Sequence, residues 1–302
     1  MENVKQWIAF LLLAVLSALL AGCVVRTEPP SSTSNTRSEP SAVTEPTVLP
    51  AASVLNVWCF QAGKADAFLF WNEFGAILID TGESGFGKVV LSKLEALGIS
   101  RLNALIVTHF DKDHVGGAKK LLTSIPVDAV LQSNCPKPDA DAYEKYLDAL
   151  TAKEIEPVTV RKSMELTLGD VVFAVNPPVQ ETYPEDASNN SSLIVTVKHG
   201  ENQLLFCGDA EELRLAEFLE NDPGLCTLVK LPHHGRYQAT LQELLTATRP
   251  LYAVVTSSDE EPEDAETQAL LERENVQVFY SRVAPILIQS DGSQISVQYC
   301  KE

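Results

Sequence analysis

From Val54 onward the chain alternates short apolar runs with amphipathic stretches. Val54–Phe60, Ala67–Trp71 and Ala76–Ile79 are brief, rich in β-branched and aromatic residues, and close on Asp80-Thr81-Gly82. They predict three consecutive strands. Lys88–Leu97 carries apolar residues at helical spacing and stops at Gly98, a C-cap signal. Leu102–Val107 then reads as a buried strand and Val115–Leu122 as a helix. Further strands are predicted at Val127–Leu131, Val171–Val175, Leu193–Val197, Gln203–Cys207, Thr227–Leu231, Leu251–Thr256 and Val276–Tyr280, and helices at Ala140–Ala152, Glu211–Glu220, Leu241–Thr246 and Glu266–Arg273. Strands first, helices interspersed and a β-ended C-terminus predict an α/β (α+β) domain, its sheets covered by helices outside. No internal repeat or second linker appears, so residues 54–302 are expected to form one domain.

The first fifty residues follow a different pattern. Lys5 and the terminal amine make a weak basic start, Ile8 to Ala21 runs without a charge, and Leu20-Ala21-Gly22-Cys23 closes the run. That order predicts a secretory signal over residues 1–22, and Leu-Ala-Gly-Cys resembles the bacterial lipobox, which implies lipidation of Cys23. The alternative is an uncleaved membrane anchor over Ile8 to Val25. Both place the remainder outside the cytoplasm, the first as a protein lipid-anchored to the bacterial cell membrane. From Val24 to Pro50, 15 of 27 residues are Pro, Ser or Thr, too polar a composition to offset the entropy of ordering. Residues 23–50 are therefore expected to be a tether reaching ~30 Å as a coil and ~80 Å as polyproline II.

A formal charge of −18 argues against a protein that works by coating nucleic acid, an affinity that comes mainly from Lys and Arg neutralising phosphates. A nucleic-acid substrate would need a local basic groove. Beyond Cys23 the cysteines are odd in number and lack CxxC spacing; Cys59, Cys207 and Cys226 sit in apolar runs and are expected to be buried thiols, with a disulfide pair left open.

Four of the five His fall in two tight groups, each directly after an apolar strand run. Strand ends hold side chains rigidly at an edge that water and substrate reach. In Thr108–Gly117, THFDKDHVGG, residues His109, Asp111, Asp113 and His114 put four candidate ligands into six positions. Two imidazoles and two carboxylates suit a divalent ion, and their density suggests a pair. Asp209, after Leu204–Gly208, arrives from another strand end, with two oxygens able to bridge two ions. His233 and His234 follow a third; adjacent His point apart, so one should ligate while the other orients it or meets substrate. His199, beside Gly200 in a predicted hairpin turn, is expected to be an ordinary surface residue.

These residues resemble the H-x-[HD]-x-D-H motif of the metallo-β-lactamase superfamily, and Asp80 in LIDTG, Asp209 in CGDAE and the PHHG group match its other motifs in order. Asp111 at the motif's second position, the run Ser188–Val195 (SNNSSLIV) and LPHHG further resemble the hydrolase domain of ComEC-type competence proteins, with Gln61–Asp66, QAGKAD, where a DVGQGD stretch is usual. The departures are Arg236 in place of a small residue after HHG, no late C-terminal His, and no third-motif His, near whose place Asn189 or Asn190 stands.

The resemblance implies an αββα sandwich and two divalent ions, Zn²⁺, Mn²⁺ or Fe²⁺. It places His109 and Asp111 on one ion, Asp113 and His114 on the other, Asp209 between them, and His234, or alternatively His233, on the second. Three carboxylates, two dications and a bridging hydroxide sum to neutrality, and that hydroxide is a nucleophile at neutral pH. Asp113 helps orient it, His233 acts beside it, Asp80 supports the site, and Asn190 and Arg236 are expected to contact substrate, with Lys112 and Lys230 adding phosphate-binding charge. The expected function is hydrolysis of a small-molecule or envelope-derived phosphodiester or phosphoester by a membrane-anchored enzyme. The alternatives are a carbon-ester or lactone hydrolase and a non-catalytic lipid-anchored binding protein.

Overall fold

The computed structural model describes residues 53–138 and 140–301; the predicted signal, Cys23 and the tether lie outside the described residues. In chain order the elements are β1 (Leu55–Cys59), β2 (Phe68–Asn72), β3 (Gly75–Ile79), α1 (Gly87–Ala96), β4 (Ala104–Val107), α2 (Lys112–Val115), α3 (Ala118–Ser124), β5 (Val130–Gln132), α4 (Asp141–Ala152), β6 (Val158–Thr159), β7 (Met164–Leu168) and β8 (Val171–Asn176). There follow α5 (Ala187–Asn190), β9 (Ile194–His199), β10 (Asn202–Phe206), α6 (Glu212–Leu219), β11 (Leu228–Lys230), a 3₁₀ turn (Pro232–Gly235), α7 (Thr240–Thr248), β12 (Tyr252–Val255), α8 (Ala265–Arg273), β13 (Gln277–Tyr280), β14 (Ile286–Ser290) and β15 (Ile295–Tyr299).

The strands make two sheets, ordered β15-β14-β1-β2-β3-β4-β5-β6 and β13-β12-β11-β10-β9-β8-β7. Each is antiparallel in one part and parallel in the other: β3 to β6 run parallel in the first sheet, β10 to β13 in the second. Period-two alternation explains the layering. Leu55, Val57 and Cys59 face inward against the other sheet, while Asn56 and Trp58 point out. In β4 every residue is buried, because Ala104 and Ile106 face the second sheet and Leu105 and Val107 face the helices. Outside the first sheet lie α1, α3 and α4; outside the second, α6, α7 and α8. The result is the αββα sandwich.

Aromatic rings interlock the two sheets. Phe206 of β10 meets Phe68 and Phe70 of β2 edge-on at 5.1 and 5.0 Å, and Phe70 meets Phe173 of β8 at 5.1 Å. These contacts fix the spacing of β10, whose end carries Asp209. Burying such a ring stabilises by roughly 1.5–3 kcal/mol, and its edge-to-face contacts add about 0.5–1.5 kcal/mol each.

Several expectations change on contact with the structure. The single helix expected over Val115–Leu122 is two, α2 and α3, bent at Gly116-Gly117. His199 is not a surface residue: it is fully buried, its Nδ1 2.9 Å from Ser290 Oγ, because the β9–β10 turn tucks against the β14–β15 turn, where Glu201 N donates to Gly292 O at 2.6 Å. Cys59, Cys207 and Cys226 are buried free thiols as expected, and Cys135 and Cys300 are also unpaired. Among the described residues no helix is long and apolar enough to cross a membrane.

Replacing Phe206 with Ala removes the ring shared by both sheets, and a loss of about 3–5 kcal/mol in urea unfolding is expected; a loss below ~1 kcal/mol would show that the sheets close without it.

Candidate metal centre

Strands β3 and β4 of one sheet and β10, β11 and β12 of the other finish at the same edge of the sandwich, and the next residues in each chain segment build the centre. Asp80 follows β3, Thr108 and His109 follow β4, Asp209 follows β10, His233 and His234 follow β11, and Thr256 follows β12. One backbone bond spans the sheets at this edge, Leu193 N donating to Thr108 O at 2.9 Å. The glycines of THFDKDHVGG permit a close approach: a Cβ on Gly116 would stand 2.5 Å from Ser84 N, and one on Gly117 would stand 2.3 Å from Thr81 O. Without both, α2 cannot lie against the loop after β3, and Asp113 and His114 would not reach the centre.

Asp113, His114, Asp209 and His234 present donor atoms that all lie within 4.8 Å of one another. His114 Nε2 is 3.2 Å and His234 Nε2 3.1 Å from Asp209 Oδ2, and His234 Nε2 is 3.4 Å from Asp113 Oδ2. The residues fit a divalent cation on a direct test. Nε2 of His114, His234 and His109 are buried and complete no hydrogen bond, and the first two converge on Asp209 Oδ2 at 3.2 and 3.1 Å, an arrangement of imidazole nitrogens about a carboxylate that suits a cation.

Without an ion the imidazoles carry the positive charge: burial disfavours the imidazolium of His114 and His234, but Asp209 outweighs it and raises both above the ordinary histidine value, so an entering cation displaces their protons. Burial pushes the Asp209 carboxyl up, but His114 and His234 outweigh it and hold it well below the ordinary carboxylate range. Asp113 is likewise depressed, burial again being outweighed by His234 and His114. Burial, with His114 alongside, drives the His109 imidazolium down to about 3, so that ring is neutral, as a ligand must be.

Each ligand is oriented from behind. Asp80, at a left-handed φ of 56°, accepts from Thr108 N at 2.8 Å and Thr108 Oγ1 at 2.7 Å, and its Oδ2 lies 2.8 Å from His114 Nδ1, which turns Nε2 into the centre. Thr256 Oγ1 lies 3.0 Å from His234 Nδ1 and donates to Asp66 at 2.7 Å. Lys230, fully buried, pairs with Asp66, donates to Gly208 O at 2.9 Å and lies 3.6 Å from Asp209 Oδ1. Burial disfavours its ammonium, but Asp66 and Asp209 raise its pKa above the usual lysine value. His233 and His234 both hold left-handed φ, 43° and 55°, a backbone cost on the order of 1–3 kcal/mol each that aims them apart. His234 faces the cluster. His233 Nδ1 sits 2.7 Å from Glu211 Oε1, leaving Nε2 4.0 Å from Asp209 Oδ2.

A cleft of about 560 Å³ opens over the cluster, lined by His233 and Asn189, by the carboxylates of Asp111, Asp113, Asp141 and Asp209, and by Lys64, Lys112, Lys137 and Lys145.

Several sequence-based expectations are placed elsewhere. Asp111 stands outside the four-donor cluster, its nearest His109 contact at 3.9 Å. Asn190, expected at substrate, is buried, with Nδ2 donating to Glu185 O at 3.1 Å and Oδ1 accepting from Arg214 N at 3.0 Å; both polar ends are used in structure, and Asn189 faces the cleft instead. Lys230 backs the carboxylates rather than meeting substrate. Arg236 is exposed, 4.0 Å from Glu261, and does not line the cleft. Asp66, Glu211, Lys64, Lys137 and Lys145 carried no motif signal beyond Asp66 ending QAGKAD.

Two sheets with outer helices and a His/Asp cage at their shared edge define a metal-dependent hydrolase fold. The metallo-beta-lactamase superfamily pattern matches residues 61–256, and the chain belongs to that superfamily. ComE operon protein 3 of Bacillus subtilis is 31% identical over 173 residues, 56% of this chain and 22% of that protein. Recombination protein 2 of Haemophilus influenzae is 27% identical over 219 residues, 70% of this chain and 25% of that protein. Both bear out the ComEC-type resemblance, and the chain spans about a quarter of their length. Among solved structures, the metallo-beta-lactamase fold protein YhfI of Bacillus subtilis aligns over 79% of this chain and all of its own with a TM-score of 0.51 at 14% identity, a likeness of fold.

Asp80→Asn keeps a side chain that tolerates the left-handed backbone but replaces the anion behind His114. A fall of about 10–100-fold in Zn²⁺ or Mn²⁺ affinity by titration calorimetry is expected, and an unchanged affinity would remove His114 from the ligand set.

Proposed function

We propose that this protein hydrolyses a phosphodiester or related phosphoester on the outer side of a bacterial membrane, held there through lipidated Cys23. The observation that carries the hydrolytic part is the convergence of Asp113, His114, Asp209 and His234, of which Asp113 and Asp209 line an open cleft. The phosphoester part rests on the cleft wall. Lys64, Lys112, Lys137 and Lys145 line it beside Asp111 and Asp141 and are paired with Glu261, Glu83, Asp111 and Asp141, so the wall offers an anionic substrate ammonium groups that exchange out of ion pairs. The same wall is too short a basic tract to reverse the case against a long nucleic-acid partner. The lipobox pattern of residues 20–23 and the tether after it support the anchor.

Asp113, His114, Asp209 and His234 would hold a divalent ion, with His109 and Asp111 beside them at a second position. Such an ion supplies Lewis acidity and lowers the pKa of water, which is what attack on phosphorus at neutral pH requires. The chain's residues do the rest. Asp113, anionic and turned toward the cleft, orients the attacking water. Lys64, Lys112 and Lys145, exchanging out of their pairs with Glu261, Glu83 and Asp141, meet the non-reacting phosphate oxygens. His233, steadied by Glu211, presents Nε2 at the cleft, where it holds or delivers a proton to the departing oxygen.

Protein loaded with Mn²⁺ or Zn²⁺ is expected to turn over bis-nitrophenyl phosphate, and Asp113→Ala to abolish that turnover with an unchanged melting temperature. Cleavage of a neutral nitrophenyl ester or a lactone without the phosphodiester would sink the phosphoester reading and leave a hydrolase. An intact fold that binds metal and cleaves neither would favour a binding protein. Lys145→Met is expected to raise KM for the phosphodiester by about two- to fivefold, the worth of one exposed charge, with no change for the neutral ester.

A further inference from the structure

Asp111 is gripped from two sides. Lys137 Nζ donates to its Oδ1 at 2.5 Å, and Ser188 Oγ donates to the same atom. Neither donor belongs to the segment that carries Asp111: Lys137 comes from the loop between β5 and α4, and Ser188 from α5. Those two segments are tied to each other, since Ser133 Oγ donates to Ser191 O at 2.6 Å and accepts from Cys135 N at 3.4 Å. The clamp is thus part of the loop architecture, not the stray reach of one long side chain.

The two ion positions then differ in what they offer. At the second, Asp113, His114, Asp209 and His234 already converge. At the first, His109 offers Nε2, but Asp111, the other ligand expected there, is a carboxylate already matched with an ammonium. Asn190, turned into the protein, and Asn189, whose Nδ2 donates to Glu211 at 2.9 Å, supply no further ligand there.

We infer that the protein takes one divalent ion tightly at Asp113, His114, Asp209 and His234, and that Lys137 holds Asp111 against a second ion, which enters only by displacing the ammonium. Lys137 is a built-in counter-cation for the first position. Its side chain is partly exposed and lines the cleft, so the displaced ammonium stays at the mouth. The inference rests on the metal-centre reading and is independent of turnover.

Titration calorimetry with Mn²⁺ and with Zn²⁺ on the metal-free protein tests it. The expected result is one tight ion and a second at least about tenfold weaker; Lys137→Met tightens the second step by about tenfold or more and leaves the first unchanged, while Lys137→Arg, which keeps the cation, leaves both as they were. Because Lys137 is a loop residue with an exposed side chain, the melting temperature of each metal-free variant is expected to match the parent. Two equally tight ions in the parent, or a second step unmoved in Lys137→Met, would overturn the inference. So would the absence of ion binding, which would remove the metal centre as well; unequal binding without hydrolysis of any ester supports the inference and defeats only the enzymatic reading.

Discussion

The carboxylates of Asp66, Asp80, Asp113 and Asp209 meet at one end of the sandwich, and everything nearby is arranged around their mutual repulsion. In a low-dielectric interior, like charges at such separations cannot all persist without cations or donors between them. The chain answers with Lys230 under Asp66 and Asp209, with Thr108 and His114 on Asp80, and with imidazoles between Asp113 and Asp209. What remains unmatched is a small set of lone pairs facing a common point. The centre is therefore defined as much by what the protein neutralises as by what it leaves open.

The two-sheet architecture makes that concentration of charge affordable. Each sheet places parallel strands so that their ends coincide, and a strand end is where backbone can turn without leaving a ladder bond unmade. Left-handed residues gather there, Asp80, His233 and His234 among them, and the interlocked rings of Phe68, Phe70 and Phe206 set the separation of the two halves. Local strain at the edge is offset by apolar burial between the sheets.

Much of this was legible in the sequence, because strands buried on both faces read as continuous apolar runs and the ligands follow them directly. The predicted strands and helices from β1 to β13 correspond to observed elements. Most of what escaped prediction lacked that signal; β14, ILIQS, is the exception, missed although its buried and half-buried positions alternate as plainly as those of β1. β7, MELTL, and β15, ISVQY, are half-exposed edge strands whose polar residues dilute the pattern, and α5 is a single turn. Asp66, Lys137 and Ser188 act through partners far away in sequence, and a lone charge in a loop carries no periodicity. His199 misled for a related reason: a histidine beside glycine reads as a solvated turn, and only the packing of two hairpins against each other buries it.

The bond from Leu193 N to Thr108 O joins the two sheets within one residue of His109 on one side and Ser192 on the other. It makes the ligand cage a gauge of the gap between the sheets. A substitution that swells or shrinks the aromatic core, well away from any donor atom, changes the distance across this bridge and with it the ionic radius the cage accepts. The separation of Asp113 and His114 from Asp209 and His234 is in that sense a property of core volume, and sequence drift among buried phenylalanines is a route by which it can change while every one of those side chains stays the same.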